Sequence, residues 1–419
     1  MSVTTNECED LACSRRRLLT GAGVLGGLGA LELATPRMAF AGTARTDTDL
    51  LLVVTLRGGA DGLSLVPPVS DHDYYKARPS IAIPQSKALK LDGHFGLHPA
   101  LAPLMPYWHN KQLAVVHAVG DSDGTRSHFE ATDAMERGVN LSNGTQTGWV
   151  DRLMYARGLS TKDFPAVAIG APPGTLRGGA PAFSMYSISD VRVQVDQRAT
   201  HRTEVALGQM YSGIAGANAA AARQTLDALH RLAPYRDKDY VPRPGVKYAN
   251  DQFSHGLSQI AEIAKAGLGL EVATIDGPGG WDMHEGLGSA TSGALHDNAA
   301  ALAGGLAAFC RDLGPMLART TIITVSEFGR RVEQNGSAGV DHGHGSSMLV
   351  LGGGIRGGKV YGRWPGLGAK QLDDGDLRPT TDYRDVLGEL VHRRLGGARA
   401  LSTVFPDHKP HELGLAKQR

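Results

Sequence analysis

Between residues 49 and 395, apolar runs of strand length alternate with stretches of helical periodicity. The runs are 49–56 (DLLLVVTL), 112–119 (QLAVVHAV), 164–170 (FPAVAIG), 270–275 (LEVATI), 320–325 (TTIITV) and 348–351 (MLVL). Their apolar residues are mostly consecutive rather than alternating, as in strands covered on both faces. Helical patterns occupy 127–136, the stretch opening at Thr147, 252–267, 295–313 and 383–395. Strands that take turns with helices predict a mostly parallel sheet sheathed on both sides. The stretch from about 198 to 243 is helical but polar, alanine-rich from 218 to 232, and carries no chemical motif. It predicts a helical insertion near 198–250. No linker, repeat or heptad divides 45–410, which predicts one domain.

Composition and charge exclude several function classes. The 43 Lys and Arg balance 42 Asp and Glu, a formal charge of +1, so no nucleic-acid partner is expected. Ser14-Arg15-Arg16-Arg17-Leu18-Leu19 matches a twin-arginine export signal. An apolar segment, 18–34, and a small-x-small cleavage site, Ala39-Phe40-Ala41, follow it. The segment is short and broken by glycine, so no stable membrane span is expected. Residues 1–41 are expected to be removed after the twin-arginine export machinery delivers the chain to the periplasm or the exterior. Cys8 and Cys13 lie in that leader, and Cys310 is left alone. No disulfide or C-x-x-C site is then available, and burial must hold the fold.

Candidate chemistry gathers at strand ends, where open α/β sheets bind ligands. The first run ends in Arg57-Gly58-Gly59-Ala60-Asp61-Gly62, without the G-x-G-x-x-G spacing of a dinucleotide site. It sets the Asp61 carboxylate among residues small enough for a ligand to approach. After the second run, Ser127-His128-Phe129-Glu130 opens a helix. Ser127 there is either the N-cap of a capping box with Glu130 or a nucleophile at a helix end that stabilises anions. Asp282 and His284 are two apart, so in an extended segment both point the same way, as two ligands of one ion. A carboxylate with an imidazole suits zinc or another transition metal. After 320–325 come Ser326 and Glu327, then a glycine-broken loop holding Asp341, His342 and His344.

In that order, LRGGADG, RSHFEA, GGWDMH, SEFGR and DHGHG resemble an exported bacterial family of unknown function, the domain family numbered 1501. The resemblance covers nearly all of the chain beyond the leader. That family looks like a distant branch of the alkaline phosphatase and sulfatase superfamily. The resemblance implies an alkaline-phosphatase-like α/β fold, a three-layer α/β/α sandwich with a mostly parallel central sheet. It also implies cleavage of a small anionic ester, a phosphate or sulfate, with a nucleophile at a helix N-terminus. The implied cofactor is a divalent metal, one or two ions, with zinc first and magnesium, calcium or manganese as alternatives.

Position by position, the resemblance implies Asp61 as a first-strand metal ligand and Ser127 as the nucleophile. Asp282 and His284 resemble the pair that holds one ion, although the superfamily commonly spaces that pair by four. Glu327 stands where the superfamily has Asp followed by His, and here Phe328 follows, which cannot ligate. His342 or His344 would supply the last histidine. A one-metal site, or a site without catalysis, fits these departures. Arg57, Arg126 and Arg330 lie beside the motifs and are candidates to clamp the ester's oxygens.

The function expected is an exported metal-dependent hydrolase of phosphate or sulfate esters. The alternative is a non-catalytic exported binding protein that keeps the fold with a degenerate metal site. A metal-free serine hydrolase built on Ser127 and His128 is a weaker reading, because no G-x-S-x-G elbow surrounds Ser127.

Overall fold

The computed structural model describes residues 49–158, 165–180, 182–193, 195 and 199–419. The expected leader, 1–41, lies outside the described residues, as does Phe164 of the third apolar run. The main sheet is built from β1 (Leu50–Thr55), β2 (Leu113–Gly120), β3 (Ala166–Ile169), β4 (Phe183–Met185), β5 (Val272–Asp276), β6 (Thr320–Val325), β7 (Ser346–Gly352), β8 (Val360–Tyr361) and β9 (Thr381–Asp382). Their order is β8-β2-β7-β6-β1-β5-β3-β4, with β9 also pairing to β2. β1 is central and parallel to both neighbours, with Val53 opposite Ile323 on one side and Thr274 on the other. Only β7 runs against its neighbours, β2 and β6. The sheet is therefore mostly parallel, as the sequence pattern predicts. The short strands β4, β8 and β9 are too brief to leave a periodic signature.

Consecutive apolar residues in β1 make sense once both faces are seen. Leu50, Leu52 and Val54 belong to one core, and Leu51 and Val53 to another. The helices of eight or more residues, among the described residues, are α1 (His128–Arg137), α2 (Trp149–Ala156), α3 (Thr200–Tyr211), α4 (Ala217–Arg236), α5 (Gln252–Lys265), α6 (Ala294–Leu313) and α7 (Tyr383–Arg393). Leu257 and Ile260 of α5 and Leu302 and Leu306 of α6 share the first core with β1. Val150 and Leu153 of α2 and Val386 and Leu390 of α7 share the second. Helix, sheet and helix thus make three layers, and each fully buried Leu or Val contributes about 1.5–3 kcal/mol. α3 and α4 are the two helices of the polar stretch near 198–250. Among the described residues, no helix is long and apolar enough to cross a membrane.

Parallel pairing has a consequence for chemistry. β1, β5 and β6 are neighbours and all point the same way, so the loops that leave them emerge together. The loop that enters antiparallel β7 reaches the same end. α1 starts there too, with Ser127 as N-cap accepting from Glu130 N at 3.5 Å, and it ends at Gly138 in the left-handed region.

One buried acid on α5 makes stability depend on pH. Burial alone raises the Glu262 carboxyl to about 7. A raised carboxyl contributes stability that is complete below its unfolded value, near 4.5, and lost as pH climbs through about 7. Glu262→Gln should therefore stabilise the protein by about 1–2 kcal/mol at pH 8 and by almost nothing at pH 4.5. Urea unfolding at both pH values checks this, and an equal effect at the two would contradict it.

Candidate metal centre

The site begins with the close packing of two strand-end loops. Trp281 N donates to the Arg57 carbonyl at 3.0 Å. Gly58 sits at φ +112°, and a Cβ there would lie 2.5 Å from the Asp282 backbone nitrogen. Only glycine lets the loop after β1 press against the loop after β5. That contact sets Asp282 and His284 in front of His128, the first residue of α1, and of His342, from the loop before β7.

Three imidazoles and one carboxylate converge. His342 Nε2 lies 2.9 Å from His128 Nε2, 3.0 Å from His284 Nε2 and 3.2 Å from Asp282 Oδ1. Asp282 Oδ1 is 3.0 Å from His284 Nε2, and its Oδ2 is 3.4 Å from His128 Nε2. Ligand atoms of His128, Asp282 and His342 all fall within 4.8 Å of one another. On the outer side, His342 Nδ1 donates to the Arg126 carbonyl at 2.9 Å. His128 Nδ1 donates to Glu327 Oε1, and His284 Nδ1 to Asp341 Oδ1, each at 2.8 Å. Carbonyls and carboxylates only accept, so these partners assign each neutral ring's proton to Nδ1. The three Nε2 atoms then face one another across the cluster, and Arg330 Nη1 also approaches His284 Nε2 at 3.5 Å.

Lone pairs crowded in this way repel one another, and a metal ion among them, or a proton on one Nε2, relieves the repulsion. Histidines that ligate a metal typically donate the other nitrogen to a carboxylate or carbonyl, as all three do here. The donor set of imidazoles with one carboxylate fits zinc or a similar transition metal better than magnesium or calcium, which prefer oxygen alone.

Asp282 is kept ready to ligate. Burial pushes its carboxyl up, but the Arg330 hydrogen bond and charge outweigh that and bring it to about 2. Arg330 is fully buried, donates to Asp282 Oδ1 at 2.5 Å, and also holds the Gly59 carbonyl at 2.6 Å and the Val340 carbonyl at 3.0 Å. The hydrogen bond from His284 leads in holding the Asp341 carboxyl below its ordinary value.

Other residues singled out from the sequence stand elsewhere. Asp61 is buried in a two-pronged ion pair with Arg78, at 2.5 and 3.0 Å, which occupies both of its oxygens. Burial raises its carboxyl, but Arg78 more than compensates and lowers it. Glu327 stands behind His128 as an orienting group, its Oε1 also accepting from Gly58 N at 2.7 Å. His344 turns away, with Nε2 3.1 Å from the Asp121 carbonyl and Nδ1 3.5 Å from Asp373. Burial lowers the His344 proton affinity, but Asp121 outweighs burial and raises it. Ser127 Oγ accepts from Glu130 N, and the Ser127 backbone N donates to Thr125 Oγ1, contacts of a helix cap. Arg330 is spent on Asp282, and Arg126 on Asp376 and Asp374.

Phe328 packs its ring 4.7 Å from that of His128 and 5.0 Å from that of His342, walling one side of the group. Beside the histidines opens a cleft of about 530 Å³. Arg57, Phe129, Thr132, Glu136 and Arg177 line it with His128, Asp282 and Glu327. Arg57 is bound to Glu136 at 2.9 Å and Asp276 at 2.8 Å yet remains 39% exposed, and Phe129 is 90% exposed. Phe129 follows His128 directly and Thr132 lies one helical turn on, so α1 spacing was the available sign of this wall. Arg177 carried no such signal, because its loop joins the site only through tertiary packing.

An α/β sandwich with an imidazole-carboxylate cluster at the carboxyl end of its sheet defines the class. The chain belongs to the DUF1501 family, described as proteins of unknown function, whose sequence profile matches residues 48–393. No curated protein matches it. Among solved structures it is similar to the PsFucS1 sulfatase from Pseudoalteromonas sp., at 12% identity and TM-score 0.37 over 90% of this chain and 74% of that one. It is also similar to the periplasmic domain of EptC from Escherichia coli in complex with zinc, at 12% identity and TM-score 0.33, covering 76% of each chain. Alkaline phosphatase from the Antarctic bacterium TAB5 follows at 10% identity and TM-score 0.29, over 88% of this chain and all of that one. Likeness this distant says nothing about chemistry, which the chain's own side chains must supply.

The arrangement separates two groups of variants. Asp61→Ala should cost about 3–5 kcal/mol by stranding the buried Arg78 charge, and should leave zinc uptake equal to that of the unaltered protein. His344→Ala should likewise match the unaltered protein in zinc uptake. Elemental analysis of the folded variants checks both, and metal loss in either would move that residue into the centre.

Proposed function

We propose that the protein is an exported hydrolase of phosphate or sulfate monoesters that works with one divalent ion, zinc first, held by His128, Asp282, His284 and His342. The observation that carries this reading is the set of three inward Nε2 atoms whose outer nitrogens are all tied to acceptors. A bound ion would polarise the ester and favour the deprotonated form of an attacking oxygen. The protein's share is electrostatic and positional. Glu327 and Asp341 hold the protons on the outer nitrogens of His128 and His284, which keeps the inner ones free to ligate. Arg330 holds Asp282 ionised and offsets its charge from within the protein. Arg57 and Arg177 line the cleft, whereas Arg126 and Arg330 do not, so they are the cations placed to meet the ester's oxygens, Arg57 by exchanging Glu136 or Asp276 for the ester. Phe129 offers an exposed apolar surface for the leaving group. Ser127 caps α1 and is not among the residues lining the cleft, so the attacking oxygen in this account is water rather than that hydroxyl. The open cleft and the export signal together suit a substrate met outside the cytoplasm.

A second reading, a binding protein with the same centre, is favoured by the Phe328 ring. It occupies the position after Glu327 at which the resembling superfamily carries a ligand.

The mature protein, purified from a cell that exports it, should carry about one zinc or similar ion per chain and hydrolyse aryl phosphate or aryl sulfate esters. His342→Ala should lose both properties. Metal without turnover in wild type would favour the binding protein, and neither metal nor turnover would end both readings. Arg57→Ala should raise KM for the active ester at least tenfold while keeping the metal, the loss of one charge-assisted contact being about 1.5–3 kcal/mol. An unchanged KM would remove Arg57 from the account.

A further inference from the structure

The geometry points to Asp376, far along the chain from every candidate ligand, as the residue that positions two of the three histidines. It does so by gripping both loops that carry their outer hydrogen-bond acceptors. This rests on the reading of the centre as a metal site.

Asp376 ends a tight turn, Asp373-Asp374-Gly375-Asp376. Asp374 at φ 48° and Gly375 at φ 84° are both left-handed, the signature of a two-residue type I′ hairpin, for which Asp-Gly is a preferred pair. Backbone bonds of 3.0 and 2.9 Å between Asp373 and Asp376 close the turn. The turn delivers a carboxylate that is only 2% exposed. A charge so buried needs strong partners, and it has two arginines.

The first arm runs through Arg126. Asp376 Oδ2 accepts from Arg126 Nη2 at 2.6 Å and from its Nε at 3.1 Å. The Arg126 carbonyl is the acceptor that fixes His342 Nδ1. The second arm runs through Arg331, whose Nη1 is 3.4 Å from Asp376 Oδ1 and also donates to the Asp374 carbonyl. Arg331 N donates to the Asp341 carbonyl at 2.9 Å, and the Asp341 carboxylate fixes His284 Nδ1. Backbone bridges extend the same clasp, pairing Arg331 with Asp376 and Arg330 with His342. One carboxylate therefore ties together the 121–127 loop, the 329–331 segment and the 341–344 loop. Remove its charge and the outer acceptors of His342 and His284 lose their anchor, while the third outer contact, Glu327 to His128, is untouched. Asp376 touches no ligand atom itself, so it is a positioning residue.

The test compares Asp376→Asn with Asp312→Asn in the full chain. Asp312 is equally buried and well paired, with Lys265 at 2.5 Å and Tyr240 at 2.6 Å, but it sits on α6 away from the histidines. Zinc affinity is read by competition with a chromophoric chelator, and histidine tautomers by 15N shifts of the imidazole-labelled apo-protein. Zinc affinity should fall about 10–100-fold in Asp376→Asn and hold in Asp312→Asn. The protonated-Nδ1 signals of two histidines should turn to mixed tautomers in Asp376→Asn alone. Arg331→Gln, a milder cut, should disturb one histidine rather than two. Wild-type affinity and tautomers in Asp376→Asn would overturn the proposal, as would an equal loss in Asp312→Asn. A wild-type chain that binds no zinc would overturn the reading of the centre instead, and the tautomer signals would then decide the role of Asp376.

Discussion

Mutual repulsion among inward-facing lone pairs is the constraint around which this end of the molecule is built. Left to themselves, His128, His284 and His342 would rotate to separate their Nε2 atoms. Each ring is held in place by a bond on its far side, to Glu327, Asp341 or the Arg126 carbonyl. Arg330 belongs to the same balance. By ion-pairing Asp282 from within the protein, it keeps the carboxylate charged and pointed at the histidines.

The sheet supplies the rigidity this needs. β1, β5 and β6 are adjacent, parallel and buried on both faces, so their carboxyl ends form a fixed platform. Gly58 permits the 57–62 loop to meet the backbone of Asp282 without a Cβ in the way. Buried ion pairs away from the histidines stiffen the same platform. Asp61 with Arg78 braces the first loop, and Asp376 with Arg126 and Arg331 braces the last two. Acidic residues near the centre thus divide into one that faces the three imidazoles and several that hold its neighbours in place.

Much of this was legible in the chain itself. Runs such as 50–55 and 320–325 declare strands buried on both faces, and the Asp282-x-His284 spacing declares a shared direction. His342 was named beside His344 without a means to choose, because two histidines two apart in an irregular glycine-flanked loop carry no periodicity. Only the pairing of Arg330 with His342, and the turn of His344 toward Asp121, separates them. Asp61 looked like a ligand because sequence shows a carboxylate at a strand end but not the arginine 17 positions on that neutralises it. Glu327 was placed in the right neighbourhood and one layer too close. Long-range partners of this kind, set by tertiary packing, are what a single sequence does not spell out.

X-ray absorption at the zinc edge of the metal-loaded protein tests the central claim most directly. The account predicts a first shell of three nitrogens at about 2.0–2.1 Å and one oxygen at about 2.0–2.2 Å from the protein, with outer-shell scattering from three imidazole rings. A shell of oxygens alone, or one with fewer than two imidazoles, would contradict it.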